Sequence, residues 1–237
     1  MKKDLAIPLT ILQIEAANEL HLQLPQWKDT DDALRALYDR FPGFDVKATL
    51  LKVAAVNQLY GTNVYAVDRM ARHIVDVLNA REGFDDIDFL VEELATLPRR
   101  KHISFASKFV HFFIDKERFP IYDSFAEDMV KFHLGRQGWI KDKEHPYRAF
   151  FQNLVKLKEQ VCSQGPCTYE ALDRYLWLTG LYKAHRTKAN PKINREVEEL
   201  FKALSINEAP TSLLQAMLPV EFASLKRRKP RAKKDKT

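Results

Sequence analysis

Apolar residues recur at helical spacing through most of the chain. Leu34, Leu37, Tyr38 and Phe41 share one face of a helix predicted over 32–40, with Thr30 or Asp31 as its cap and Pro42-Gly43 as its stop. Asp45 is placed to cap a long apolar helix through Leu50, Val53, Val56 and Leu59, broken at Gly61. Thr62 or Asn63 then opens a helix carrying Val64, Val67, Met70, Ile74 and Leu78, and Asp85 or Asp86 opens another over Ile87 to Leu97. Beyond the basic connector Pro98-Arg99-Arg100-Lys101-His102, residues 104–114 read as a helix apolar on nearly every face, which places it in the core. Helices over 124–134, 147–161, from Thr168 through Leu178, and over 194–204 follow, with no convincing strand pair and no internal repeat. About ten short helices with tight connectors predict an all-α, orthogonal multi-helix fold rather than a long bundle. Residues 1–224 read as one compact unit, with two lobes and a cleft between them as one arrangement, and 225–237 as a disordered tail.

Composition sharpens this picture. With 237 residues, 46% of them hydrophobic, the chain can bury a core without staples, and 7 glycines are few for a sandwich or barrel of tight turns. No apolar run is long enough to cross a bilayer, and the stretch after Met1-Lys2-Lys3-Asp4-Leu5 is too short and interrupted for a secretion signal. A cytoplasmic protein with no membrane partner is therefore expected. Cys162 and Cys167 are read as free thiols. Two cysteines cannot hold a four-cysteine iron–sulfur cluster, and no His/Cys cluster has zinc spacing, so neither a metal nor a cofactor is expected. The formal charge of +6 is concentrated at one end: residues 226–237 carry +7, leaving the rest of the chain at −1. Such a tail suits a polyanion such as DNA, or serves only to keep the chain in solution.

Two residues stand out as chemistry. Lys108 is the one long polar side chain on the apolar helix. A buried ammonium is disfavoured, so its pKa should fall, as an amine nucleophile requires; the alternatives are that it snorkels to water or pairs with an acid. Asp123 follows the rigid Pro120 and stands just before a helix, where capping is the ordinary role. The preceding core helix and its lone lysine make a shared cleft the competing reading.

The segments Leu97-Pro98 and Phe119-Pro120-Ile121-Tyr122-Asp123, with an apolar helix between them, resemble the helix-hairpin-helix DNA glycosylase superfamily. Leu59-Tyr60-Gly61-Thr62-Asn63-Val64 resembles that family's segment at the start of the helix that enters the DNA stack. Ser-Phe-Ala-Ser-Lys-Phe (104–109) and Pro-Ile-Tyr-Asp-Ser (120–124) look like signature segments of bacterial proteins with an 8-oxoguanine DNA glycosylase-like fold. The resemblance covers roughly Asp45 to Trp177 and departs from the family at two places. The hairpin glycines are replaced by Arg99-Arg100-Lys101-His102, and Lys108 lies 15 residues before Asp123, where bifunctional members place the lysine about 18 to 19 before; counting back 19 reaches Ser104.

The resemblance implies a monomeric enzyme that flips and excises a modified base from double-stranded DNA. The base would be oxidised guanine, or a bulky modified cytosine of phage DNA in anti-phage defence. Asp123 and Lys108 would be catalytic, with a lyase step left open by the lysine spacing. Asn57, Ser104, Tyr122 and Trp177 would form the base pocket. Tyr60, Gly61, Thr62 and Asn63 would fill the vacated stack, and Arg99, Arg100, Lys101, His102 and Ser124 would hold the DNA backbone. The alternative is a non-catalytic DNA-binding or regulatory protein on the same scaffold, in which Asp123 only caps a helix.

Overall fold

The computed structural model describes residues 5–81, 83, 86–98, 100–188, 193–203 and 209–225. Arg99 and the basic tail 226–237 lie outside them. The described chain is all-α apart from one two-residue strand pair. In order it forms α1 (Ile11–Leu22), α2 (Pro25–Arg40), α3 (Val46–Tyr60), α4 (Val67–Asn79), α5 (Ile87–Ala95), β1 (Thr96–Leu97), β2 (Arg100–Lys101) and α6 (Ile103–Phe113). Then come α7 (Ser124–Gly138), α8 (Pro146–Cys162), α9 (Tyr169–Thr187), α10 (Arg195–Lys202), α11 (Ala209–Met217) and a 3-10 turn over Val220–Ser224. No helix among the described residues is long and apolar enough to cross a membrane.

Side-chain caps set the starts of α1, α3, α7, α9 and α10. Asp45 accepts from Lys47 N and Ala48 N, and Thr168 from Ala171 N, as the sequence predicts; Asn194, expected inside its helix, caps it by accepting from Val197 N. Two starts differ. Pro25 at the first helical position opens α2 seven residues before Asp32, so Asp31 lies inside the helix, buried, rather than at its cap. Helix α4 begins at Val67 behind Ala66, with no side-chain cap, because Thr62 and Asn63 belong to a loop. Three elements escape the periodicity altogether. Helix α1 carries apolar residues all round, with Ile14, Ala17 and Leu20 buried but Leu12 exposed, so no amphipathic stripe marks it. Helix α11 follows a polar stretch. The strand pair, Thr96 opposite Lys101 and Leu97 opposite Arg100, occupies the connector that reads as irregular.

Helices α2 to α6 pack on one another, and α1, α7, α8, α9 and α11 form a second group; α1 against α2 and α5 against α8 join the two. Helix α6 lies at the centre: Phe105, Ala106, Phe109, Val110 and Phe113 are buried. Helices α7 and α9 approach closely at Gly180, where an added Cβ would meet Phe125 Cβ at 2.7 Å and its carbonyl oxygen at 2.8 Å. That contact seats the first turn of α7, and hence Asp123, against α9.

Candidate active site

A cavity of about 280 Å³ opens between the two groups of helices. Trp27, Thr30 and Asp31 of α2, Leu59 and Tyr60 at the end of α3, and Lys108, His111 and Phe112 of α6 line one side. Asp123 and Phe125 at the head of α7, with Glu170, Asp173, Arg174 and Trp177 of α9, line the other. The two residues singled out for chemistry, 15 positions apart in sequence, therefore share one cavity.

Helical geometry explains how Lys108 gets there. Side chains on a helix lean toward its N-terminus, so a lysine covers the turn before its own. Lys108 Nζ donates to Ser104 Oγ at 2.9 Å and also lies 3.4 Å from Ser104 O and 3.5 Å from Tyr122 O. The amine thus arrives beside residue 104, one turn back from its Cα. Lys108 is 5% exposed and has no carboxylate within ion-pair distance among the described residues, so it neither snorkels nor forms a salt bridge. Burial pushes its pKa below the ordinary lysine value, opposed by the negative charge of Asp123 and Asp173. The Tyr60 ring centroid stands 5.6 Å from Nζ.

The turn bearing Asp123 is held at four points. Tyr122 N donates to Ser107 Oγ at 2.9 Å, Tyr147 Oη donates to Pro120 O at 3.0 Å, and His111 Nδ1 bonds Phe119 O at 2.9 Å. Asp123 Oδ1 accepts from Phe125 N and Ala126 N, each at 2.8 Å. So Asp123 does cap α7, and with one oxygen only. A carbonyl cannot donate, so His111 Nδ1 carries the hydrogen. Burial lowers the His111 pKa to about 4, which leaves a neutral ring in the cavity wall at neutral pH.

Several wall residues are not evident from sequence. Asp173 of α9 is partly buried, and burial together with the nearby Asp123 charge holds its carboxyl well above the usual range. It stands one turn before Trp177 on the same face; an acid one turn from an aromatic is the available signal. Trp27 packs on Trp177 with ring centroids 4.3 Å apart. Asp31 Oδ1 accepts from Tyr60 Oη at 2.8 Å, and His21 Nε2 lies 3.3 Å from its other oxygen. Burial accordingly raises the Tyr60 pKa. Glu170 draws Arg35, Lys116 and Arg174 to its two oxygens at 2.6, 2.5 and 2.8 Å.

Other residues named from sequence sit elsewhere. Tyr60 turns inward as cavity wall, its hydroxyl bound to Asp31. Asn57 is outside the cavity: its Oδ1 accepts from Val64 N at 2.8 Å and Thr62 Oγ1 at 3.0 Å, and its Nδ2 donates to Val64 O at 3.1 Å. Those bonds tie down the loop in which Gly61 and Asn63 both adopt φ +57°. Tyr122 also misses the cavity, its Oη donating to Glu127 Oε2 at 3.2 Å and its ring meeting Phe150. Ser104 acts on Lys108 rather than lining the space. In the basic connector, Arg100 is exposed, Lys101 Nζ donates to Glu144 O at 2.7 Å, and His102 precedes α6, its pKa lowered by burial and by Arg100. Ser124 is exposed at the first position of α7, and Arg99 lies outside the described residues. Cys162 and Cys167 are free thiols.

A protein-family profile described as the HI_0787_N N-terminal domain matches residues 13–118. That stretch takes in most of α1 and all of α2 to α6, with Trp27, Tyr60 and Lys108, and stops before Asp123. An uncharacterized protein of Haemophilus influenzae is 30% identical over 145 residues, covering 57% of this chain and 67% of that protein. No solved structure gives a significant match. By that similarity the chain belongs to the same family as the Haemophilus influenzae protein, and the stretch that resembles the HI_0787_N profile carries the lysine side of the cavity.

Proposed function

We propose that this chain is a DNA glycosylase that excises a modified base from duplex DNA, acting as a monomer in the bacterial cytoplasm without a cofactor. The observation that carries the reading is the meeting of Lys108 and Asp123 in one cavity walled by Trp27 and Trp177. The base must leave the stack to reach such a site, and indole faces suit a planar heterocycle. As the base departs, positive charge develops on the sugar. A carboxylate fixed by two backbone N–H groups is oriented to stabilise that charge without reorganising. Water, or the Lys108 amine in its neutral form, then attacks the sugar carbon. Gly61, Thr62 and Asn63 at the rim would meet the vacated position, and Arg100, His102 and Ser124 the phosphates. At about 280 Å³ the cavity falls just below the usual range of ligand sites, roughly 300 to 1,000 Å³, which favours one heterocycle such as oxidised guanine over a glucosylated cytosine.

The test is incubation with duplexes carrying oxidised guanine, uracil or alkylated bases, and with phage DNA bearing modified cytosine, followed by assay of abasic sites. Release of one base supports the reading; no abasic sites on any of these sinks it for them. A second reading, a non-catalytic DNA-binding protein, draws on the two helix-capping bonds of Asp123. It requires Asp123→Asn, which keeps the cap, to leave function intact.

A further inference from the structure

Ser104 occupies the place from which Lys108 is governed. Around Lys108 Nζ stand three oxygens: Ser104 Oγ at 2.9 Å, Ser104 O at 3.4 Å and Tyr122 O at 3.5 Å. The two carbonyls can only accept. A hydroxyl can do either, since it carries one hydrogen and two lone pairs. With an ammonium, all three oxygens accept, one for each N–H. With a neutral amine, the two carbonyls take the remaining N–H groups, and the Ser104 hydroxyl is the neighbour able to turn and donate into the lone pair.

We infer that Ser104 is a positioning residue whose hydroxyl, from outside the cavity, holds down the reactivity of the Lys108 amine. Both of its hydrogen-bonding modes act in one direction. Accepting from the ammonium favours the charged form, because bonds to charged donors are the stronger ones. Donating to the amine occupies the electron pair that would attack. The other groups facing Lys108 are fixed: Asp123 at the head of α7, Asp173 on α9, and the Tyr60 ring at the end of α3, with Asp31 of α2 behind its hydroxyl. Each stays in place when Ser104 alone is changed. The inference deepens the proposed function, resting on the cavity as the reaction site, but its test needs no DNA.

The intact protein is treated with formaldehyde and cyanoborohydride across a pH series, and methylation of Lys108 is followed by peptide mass. Ser104→Ala is expected to speed modification at pH 7 on the order of fivefold and to move the midpoint of its pH profile downward, by the size of one hydrogen bond of ordinary strength lost. Ser104→Thr, which keeps a hydroxyl, should track the unaltered protein. Alanine suits a helix interior, and unfolding curves check that both variants fold. The inference fails if alanine leaves rate and midpoint unchanged, if it slows the modification, or if threonine behaves like alanine. A fivefold gain in Ser104→Ala together with no base release from any duplex would keep the tuned lysine and discard the glycosylase.

Discussion

Lys52 and Lys108 are both buried lysines on core helices, and their surroundings could hardly differ more. Lys52 is 0% exposed and stands over the rings of Phe44, Phe113 and Tyr38 at 4.3, 5.3 and 5.4 Å, donating to Gly43 O at 2.8 Å. It lines none of the cavities described above. Lys108 opens onto a cavity and feels two carboxylates across it. Burial lowers both pKa values, Lys52 to about 8. A depressed lysine is thus no mark of function in itself; what separates the two is access and the charges that face them.

Four experiments would break or sharpen that contrast. The largest effect is expected at Asp123. Asp123→Asn keeps the capping oxygen but loses the charge, so base release should fall about 10²- to 10³-fold while the thermal midpoint stays close to its starting value. Equal activity would leave Asp123 as a cap alone. Next, Gly180→Ala pushes a methyl against Phe125 and should cost about 1–3 kcal/mol by urea unfolding. Because the clash sits behind Asp123, Lys108 methylation should change while that of Lys52 does not.

Third, Lys52→Met replaces a buried charge by an apolar chain of similar length and should leave stability unchanged or raise it by about 1–4 kcal/mol, whereas Lys108→Met leaves Asp123 and Asp173 without their cation and should lower it. Only the second should alter base release and abolish a borohydride-trapped adduct. The smallest effect is a pH slope. The unfolded chain keeps the Lys52 proton up to about 10.5, whereas the folded chain gives it up near 8. Between these values the unfolded state binds more protons, so stability should rise with pH. Below about 8 both states are protonated and the full cost of the buried ammonium stands. Thermal scans should show the rise, and Lys52→Met should flatten it.

The contrast also shows how far the chain could be read in advance. A helix with one apolar stripe and a capping side chain, such as α10 with Val197, Leu200 and Phe201 behind Asn194, is legible because local rules set both pattern and start. The Asp123 turn is legible for the same reason: a proline, an acid and a helix follow in order. Helix α1 has no stripe to read, and Asp31 looks like a cap until Pro25 is seen to have opened α2 earlier. The cavity itself is a tertiary object. Lys108 and Asp123 are legible as candidates, but Trp27, His111 and Asp173 join them only because α2, α6 and α9 converge. Asn57 and Tyr122 have side chains suited to recognition, and each is already committed to a neighbour within seven residues of its own position.

The commitment of Asn57 has a consequence for association. Its three bonds fix Thr62 and Val64, and so hold the loop beside which Tyr65 stands 86% exposed. A loop already fixed has little conformational entropy left to lose when a partner arrives. Binding at that loop should therefore carry a small ordering penalty, and cutting the Asn57 bonds should appear calorimetrically as a less favourable entropy of association with the enthalpy nearly conserved.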